Sequence, residues 1–226
     1  MGNSRTPGAR AALYYRGMPQ RRPPRLSVIL AIAAAVALGG WFFRYHIRDD
    51  LFARNFGVVE AGQIYRSGRQ TPAMMEQIVR ANGIRTIIDL GAFAPGSREE
   101  AIADQTAKAL GVTRFRFGLY GDGTGDPNEY VAALRLMTDP ALRPVLVHCA
   151  AGAQRTSGCV VLYRHHVQGQ PLAGAFPESF AFKHDPGRNP NLAPYLNRWS
   201  TEIGAALKDG TRIDYREPGS PHAQLE

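Results

Sequence analysis

From about residue 60 the chain alternates two kinds of hydrophobic pattern. Short β-branched runs are followed by longer stretches in which apolar residues recur every three or four positions. The first pattern predicts strands and the second amphipathic helices. QIYRS (Gln63–Ser67) reads as an edge strand, and RTIIDL (Arg85–Leu90) and VTRFRF (Val112–Phe117) as further strands. PVLVH (Pro144–His148) is continuously apolar, as a strand at the centre of a sheet should be. Thr71 followed by Pro72 is a helix start, and Gly83 stops that helix. Further helices are predicted over residues 98–110, 129–137, 156–168 and 192–207. Strands separated by helices of this kind imply an α/β domain of three layers around a central, partly parallel sheet.

The first 54 residues follow a different rule. Leu26–Phe43 are 18 residues without a charge, closed by Trp41, Phe42 and Phe43 and followed by Arg44. Residues 1–25 hold six Arg and no acid. This pairing predicts one transmembrane helix over 26–43 behind a basic, disordered cytoplasmic tail over 1–25. A cleaved signal peptide is the alternative. The charge bias would put the folded part across the membrane, which in a bacterium means an inner-membrane protein with a periplasmic domain. Residues 44–54 then form a linker, 55–208 the domain, and 209–226 an irregular tail. The chain carries 27 basic and 19 acidic residues, a net charge of +8. Most of the excess lies in the tail, so the body offers no basic face for a nucleic acid.

Two cysteines in 226 residues exclude a disulfide scaffold and a four-cysteine zinc site. No metal and no cofactor is expected. The chemistry concentrates after the central strand, in His148-Cys149-Ala150-Ala151-Gly152-Ala153-Gln154-Arg155-Thr156-Ser157-Gly158. Ligands of open α/β folds bind at the carboxyl ends of strands. A helix opening there presents unpaired N–H groups to an anion. The small residues Ala150, Ala151, Gly152 and Ala153, with Gln154, let the backbone curl into a phosphate-binding nest. Arg155 adds a planar fork for two oxygens. The same field favours a thiolate at Cys149, with Thr156 placed to donate to the sulfur. A Walker loop is excluded, because this loop has no Lys.

HCAAGAQRTSG resembles the signature of the cysteine-dependent protein tyrosine phosphatase superfamily, and NFGVVEAGQIYRSGRQT (Asn55–Thr71) resembles the opening of its atypical dual-specificity-like members from plants, fungi and bacteria. The resemblance covers about residues 55–170. It implies Cys149 as nucleophile, Arg155 as phosphate ligand and transition-state clamp, His148 tuning the thiolate from behind, and Thr156 assisting breakdown of a phosphocysteine. It further implies a phosphorylated protein or small phosphorylated molecule as substrate. Two positions depart from the pattern. Ser157 precedes Gly158 where the family commonly has Gly, and Asp89-Leu90-Gly91 lacks the Arg often found after that strand.

The family's general acid is an Asp from an upstream loop. GLYGDGTGDPN (Gly118–Asn128) offers Asp122, flanked by two Gly, and Asp126, which precedes Pro127 and can instead cap a helix. Arg66 and Arg69 either hold substrate phosphate or pair on the surface. Asp89 orients a loop Arg or serves a turn. His165 and His166 have no carboxylate at metal spacing and read as surface or packing residues. His184 and Asp185 flank the pocket or belong to a connector. Cys159 reads as core, with a disulfide to Cys149 as the alternative. The leading function is a protein tyrosine or dual-specificity phosphatase. The alternatives are a phosphatase for inositol phosphates or phosphoinositides, and a silent phosphate-binding adaptor.

Overall fold

The computed structural model describes residues 26–216. The expected basic tail over 1–25 and the last part of the irregular tail lie outside the described residues. The chain divides into two compact units, Met1–Arg44 and Tyr45–Glu226.

Helix α1 of the first unit spans Leu26–Phe42, 17 residues. At 1.5 Å per residue that is about 26 Å, short of a hydrocarbon core of about 30 Å. At Phe43 the backbone passes into a π-type turn, Phe43–Ile47, which contains Arg44. Among the described residues no helix is long and apolar enough to cross a membrane. The expected transmembrane helix over 26–43 is therefore overturned, and with it the membrane partner, the inner-membrane placement and the periplasmic domain. The α-helix ends at Phe42, and the remainder of the uncharged run passes into the π-type turn.

The second unit opens with a short helix α2 (Arg48–Leu51) and is built on five strands. These are β1 (Gly57–Glu60), β2 (Ile64–Gly68), β3 (Thr86–Asp89), β4 (Thr113–Arg116) and β5 (Val145–Cys149), in the order β1-β2-β5-β3-β4. Strand β5 pairs in parallel with β2 and β3, and β3 in parallel with β4. Only β1 is antiparallel, against β2. The expected central position of the PVLVH strand is observed. The expected edge position of QIYRS is not, because GVVE adds β1 outside it. That strand buries only Val59 and so leaves no alternating pattern to read.

Alternate residues of a strand face opposite sides of the sheet, and each side buries its own core. On one side Tyr65, Ile87 and Leu146 pack against α3 (Pro72–Asn82) and α4 (Arg98–Ala109). On the other, Ile64, Ile88, Val145 and Val147 pack against α5 (Pro127–Thr138), α6 (Gln154–His166) and α9 (Leu192–Asp209). Each fully buried Leu, Ile or Val contributes about 1.5–3 kcal/mol, so β5, buried along its whole length, is the best anchored strand. Short helices α7 (Leu172–Ala175) and α8 (Glu178–Ala181) follow α6. Helix α3 starts and stops where the residues predict. The Thr71 side chain accepts from the Met74 amide, and Gly83 closes the helix in the left-handed region.

Candidate active site

Strand β5 ends at Cys149 and α6 begins at Gln154, so residues 150–153 turn the chain between the sheet centre and a helix N-terminus. Cys149 is 1% exposed. The Gly152 amide donates to its sulfur at 3.2 Å. Gly152 sits at φ 73°, where a Cβ would lie 2.5 Å from the Gly68 nitrogen. Only glycine can pass β2 so closely in this left-handed turn. The carbonyls of Ala150, Ala151 and Gly152 are bound from outside the loop. The Ala150 oxygen accepts from the Arg69 amide at 3.1 Å. Asn55 Nδ2 donates to the Ala151 and Gly152 oxygens at 3.3 and 3.0 Å. Arg66 Nη2 donates to the Gly152 oxygen at 2.9 Å. With these oxygens held from outside, the Gly152 amide is aimed at the Cys149 sulfur, an arrangement that suits an anion nest. At Ala153 no side chain caps α6, so its first amides remain free for an anion.

Arg155 is 9% exposed and stands in the first turn of α6. Its Nη1 donates to the Leu90 oxygen at 3.1 Å and to the Gly91 oxygen, at the carboxyl end of β3. Its Nε is buried without a hydrogen-bond partner among the described residues. The same holds for Thr156 Oγ1. The donor that the structure places on the Cys149 sulfur is therefore the Gly152 amide, not the Thr156 hydroxyl.

Behind Cys149, His148 Nε2 faces Asp89 Oδ2 across two adjacent strands. Asp89 accepts from the Ala92 amide at 2.6 Å and pairs with Arg114, which also pairs with Asp104. Burial alone would raise the Asp89 carboxyl. The His148 ring, the Ala92 amide and Arg114 outweigh it and hold the group below the usual carboxylate range. Burial lowers His148 more than Asp89 raises it.

Asp122 and Asp126 lie in one loop with different partners. Asp126 caps α5, accepting from the Asn128 amide at 2.9 Å. Asp122 accepts from the Thr124 amide and hydroxyl at 3.1 and 2.8 Å, and from Asn191 Nδ2 at 2.8 Å. Burial raises its carboxyl, but these bonds outweigh burial and lower it. Beside it, buried Tyr130 donates to the Gly123 oxygen at 2.7 Å. A Cβ on Gly123 would lie 3.5 Å from the Gln154 backbone. The loop thus passes over the start of α6, beside the anion nest.

The remaining candidates separate clearly. Arg66 is neither a surface residue nor at the mouth, but 0% exposed beneath the loop. Its second bond is to Ser157 Oγ at 2.7 Å, which explains a serine where the family commonly has glycine. Arg69 is exposed. His165 and His166 engage the Gln170 oxygen and Ser200. His184 packs among Phe176 and Phe180. Both cysteines are free, and Cys159 lies 3.4 Å from the Met137 sulfur. Burial pushes its thiol up to about 12. An opening of about 420 Å³ meets Ala151, Ala153 and Gln154 of the nest and carries Arg54, Lys183 and Arg188. A larger cavity of about 570 Å³ lies on the α3 and α4 side of the sheet, beside His148, and contains no residue of the nest. Asn55, Lys183 and Arg188 carry no local signal of their roles in the sequence, since they reach the loop only through the fold.

A strand-end cysteine, an amide nest and an arginine opening the next helix define the class of cysteine-dependent phosphatases. The chain belongs to the family described as DSP-PTPase phosphatase fused to NAD+ kinase, whose model matches residues 54–179. It is 32% identical over 130 residues to inositol diphosphatase DSP1 of Oryza sativa subsp. japonica, covering 55% of this chain and 54% of that protein. It is 31% identical over 128 residues to inositol diphosphatase DSP4 of Arabidopsis thaliana, covering 55% and 61%. The chain thus spans between half and two thirds of the length of these relatives. The core catalytic domain of the PP-IP phosphatase SIW14 from S. cerevisiae superposes with a TM-score of 0.54 at 23% identity, over 70% of this chain and 94% of that one. That likeness shows the fold.

Proposed function

We propose that the chain hydrolyses phosphate monoesters through a phosphocysteine, as a protein tyrosine or dual-specificity phosphatase. The observation that carries this reading is the Gly152 amide 3.2 Å from the Cys149 sulfur, inside a loop whose carbonyls are bound from outside. A phosphate entering the nest takes the inward amides, and Arg155 leaves the Leu90 and Gly91 oxygens to grip it. The Cys149 thiolate attacks phosphorus as the ester P–O bond breaks, and Asp122 gives its proton to the departing oxygen. Water then attacks phosphorus, the S–P bond breaks, Asp122 takes the water's proton, and phosphate leaves. His148, backed by Asp89, holds the end of β5 in register beneath the sulfur.

A second reading, an inositol phosphate or phosphoinositide substrate, is favoured by one observation. The mouth carries three cations, Arg54, Lys183 and Arg188, against one acid, Asp185. They replace the basic residues that Ala150–Gln154 lack. The names of the two plant relatives support the same class. The test is turnover of the full chain on an aryl phosphate, phosphotyrosyl and phosphoseryl peptides, and inositol polyphosphates, beside Cys149→Ser. Loss of all turnover in Cys149→Ser is expected. Turnover surviving that substitution overturns the mechanism, and the ranking of kcat/KM decides the substrate class.

A further inference from the structure

Arg66 is a charge buried at a cost. Its side chain is 0% exposed, and its Nε and Nη1 have no hydrogen-bond partner among the described residues. Burial lowers the guanidinium to about 10. Burying an incompletely bonded cation is unfavourable, so what it touches bears on why it is there. All its hydrogen bonds go through Nη2, to the Gly152 oxygen at 2.9 Å and to Ser157 Oγ at 2.7 Å. Its flat face lies 3.6 Å from the centre of the Phe182 ring. Phe182 is joined to the same place by its backbone, since its oxygen accepts from Asn55 Nδ2 at 2.8 Å. Asn55 also holds the Ala151 and Gly152 oxygens.

A buried donor, Arg66, and a half-buried one, Asn55, thus grip the outside of the nest, and both reach Phe182. The next residue, Lys183, lines the mouth together with Arg188. From this juxtaposition we propose that Arg66 is a positioning residue, which with Asn55 sets the amides of residues 150–152 toward the bound phosphate and ties that nest to the basic segment at the mouth. Gly152 is the pivot. One peptide side carries the amide on the Cys149 sulfur, and its own oxygen is what Arg66 and Asn55 hold. Releasing that oxygen lets the neighbouring peptides rotate, and an amide that no longer points inward is a lost oxyanion donor. The loss of one such donor lowers kcat by about 10²–10³-fold in other enzymes.

This inference rests on the reading that the nest binds an oxyanion. The experiment measures vanadate affinity, kcat and KM on an aryl phosphate, and thermal melting, for the wild type, Arg66→Met, Arg66→Lys, Asn55→Ala and Phe182→Leu. If the wild-type chain binds no vanadate, the functional reading fails, and this inference with it. If it binds, Arg66→Met is expected to weaken vanadate at least about tenfold and to lower kcat more than it raises KM. Arg66→Lys should recover part of both losses. Asn55→Ala should weaken vanadate several-fold while melting as a folded protein. Should Arg66→Met not fold, Asn55→Ala and Phe182→Leu decide the matter. Wild-type vanadate affinity and kcat in folded variants of the clamp overturn the proposal.

Discussion

His148 Nε2 stands 3.9 Å from Asp89 Oδ2, at paired positions of the adjacent parallel strands β5 and β3. The pair links the residue before Cys149 to Arg114 on β4, and so joins the carboxyl ends of β5 and β3 to the amino-terminal half of β4. Replacing Asp89 by Asn leaves the buried Arg114 with Asp104 alone. A loss of about 3 kcal/mol is expected, at the low end for breaking a buried pair because one partner remains. Urea unfolding of Asp89→Asn measures it, and a loss below about 1 kcal/mol would show the pair to be incidental.

The buried rings set an acid limit on stability. His148 is held below its ordinary value by burial, and burial lowers His166 and His184 as well. The unfolded chain takes up protons near pH 6.5, where the folded chain still resists them. Stability is therefore full above about pH 6.5 and falls as the pH drops through the folded values. Melting temperatures between pH 8 and 5 should be flat and then decline, with a shallower decline in His148→Gln. An equal slope in that variant would mean the ring is not buried neutral.

Asp122 and Asp126 should separate by leaving group. Asp122→Asn is expected to lose about 100-fold or more in kcat on an alkyl phosphate and much less on an activated aryl phosphate. Asp126→Asn should keep its activity and, because Asn caps a helix about as well as Asp, nearly all of its stability, whereas Asp126→Ala should lose about 1 kcal/mol. The reverse assignment follows if Asp126→Asn shows the leaving-group dependence.

Asn191 gives a signed test of the same acid. Its amide bonds the Asp122 carboxylate and, with Thr124, outweighs burial to lower that group. A general acid works protonated, so activity falls as the pH rises through its pKa. Asn191→Ala removes a donor to the charged form, raises that pKa and shifts the alkaline limb to higher pH. A limb that stays in place, or moves to lower pH, rules Asp122 out as the group behind it.

Gly152 tolerates no side chain. The left-handed φ and the 2.5 Å approach to the Gly68 nitrogen mean that a Cβ must push the loop off β2. Gly152→Ala should lose vanadate binding and at least about 100-fold in kcat, the size expected for a displaced oxyanion donor. Titration of the variant with vanadate, beside its turnover, checks both.

Oxidative loss of activity should not need Cys159. The two thiols are free, and Cys159 is turned against Met137 inside α6. Peroxide should inactivate Cys159→Ala as fast as the wild type, with no internal crosslink by mass spectrometry. Protection in Cys159→Ala would show that the helix opens far enough for a disulfide.

The residues of the nest were legible because they are neighbours in the chain. An apolar strand, a cysteine, small residues and a helix start with arginine are local requirements, and each leaves a local mark on residues 145–158. Helix ends at Thr71 and Gly83 were legible for the same reason. Other facts depend on which distant segments meet. Strand β2 lies inside the sheet only because β1 covers it, and Arg66 is buried only because the 150–152 loop, Ser157 and the Phe182 ring close over its side chain. The bonds from Asn55 to Ala151 and Gly152 span 96 and 97 positions of the chain. The apolar run at 26–43 predicts a span, and the α-helix it forms among the described residues is too short to make one. Residue type and spacing decide what a short segment can do chemically. The cooperative packing of the sheet decides which segments stand beside it, and no single stretch of chain encodes that.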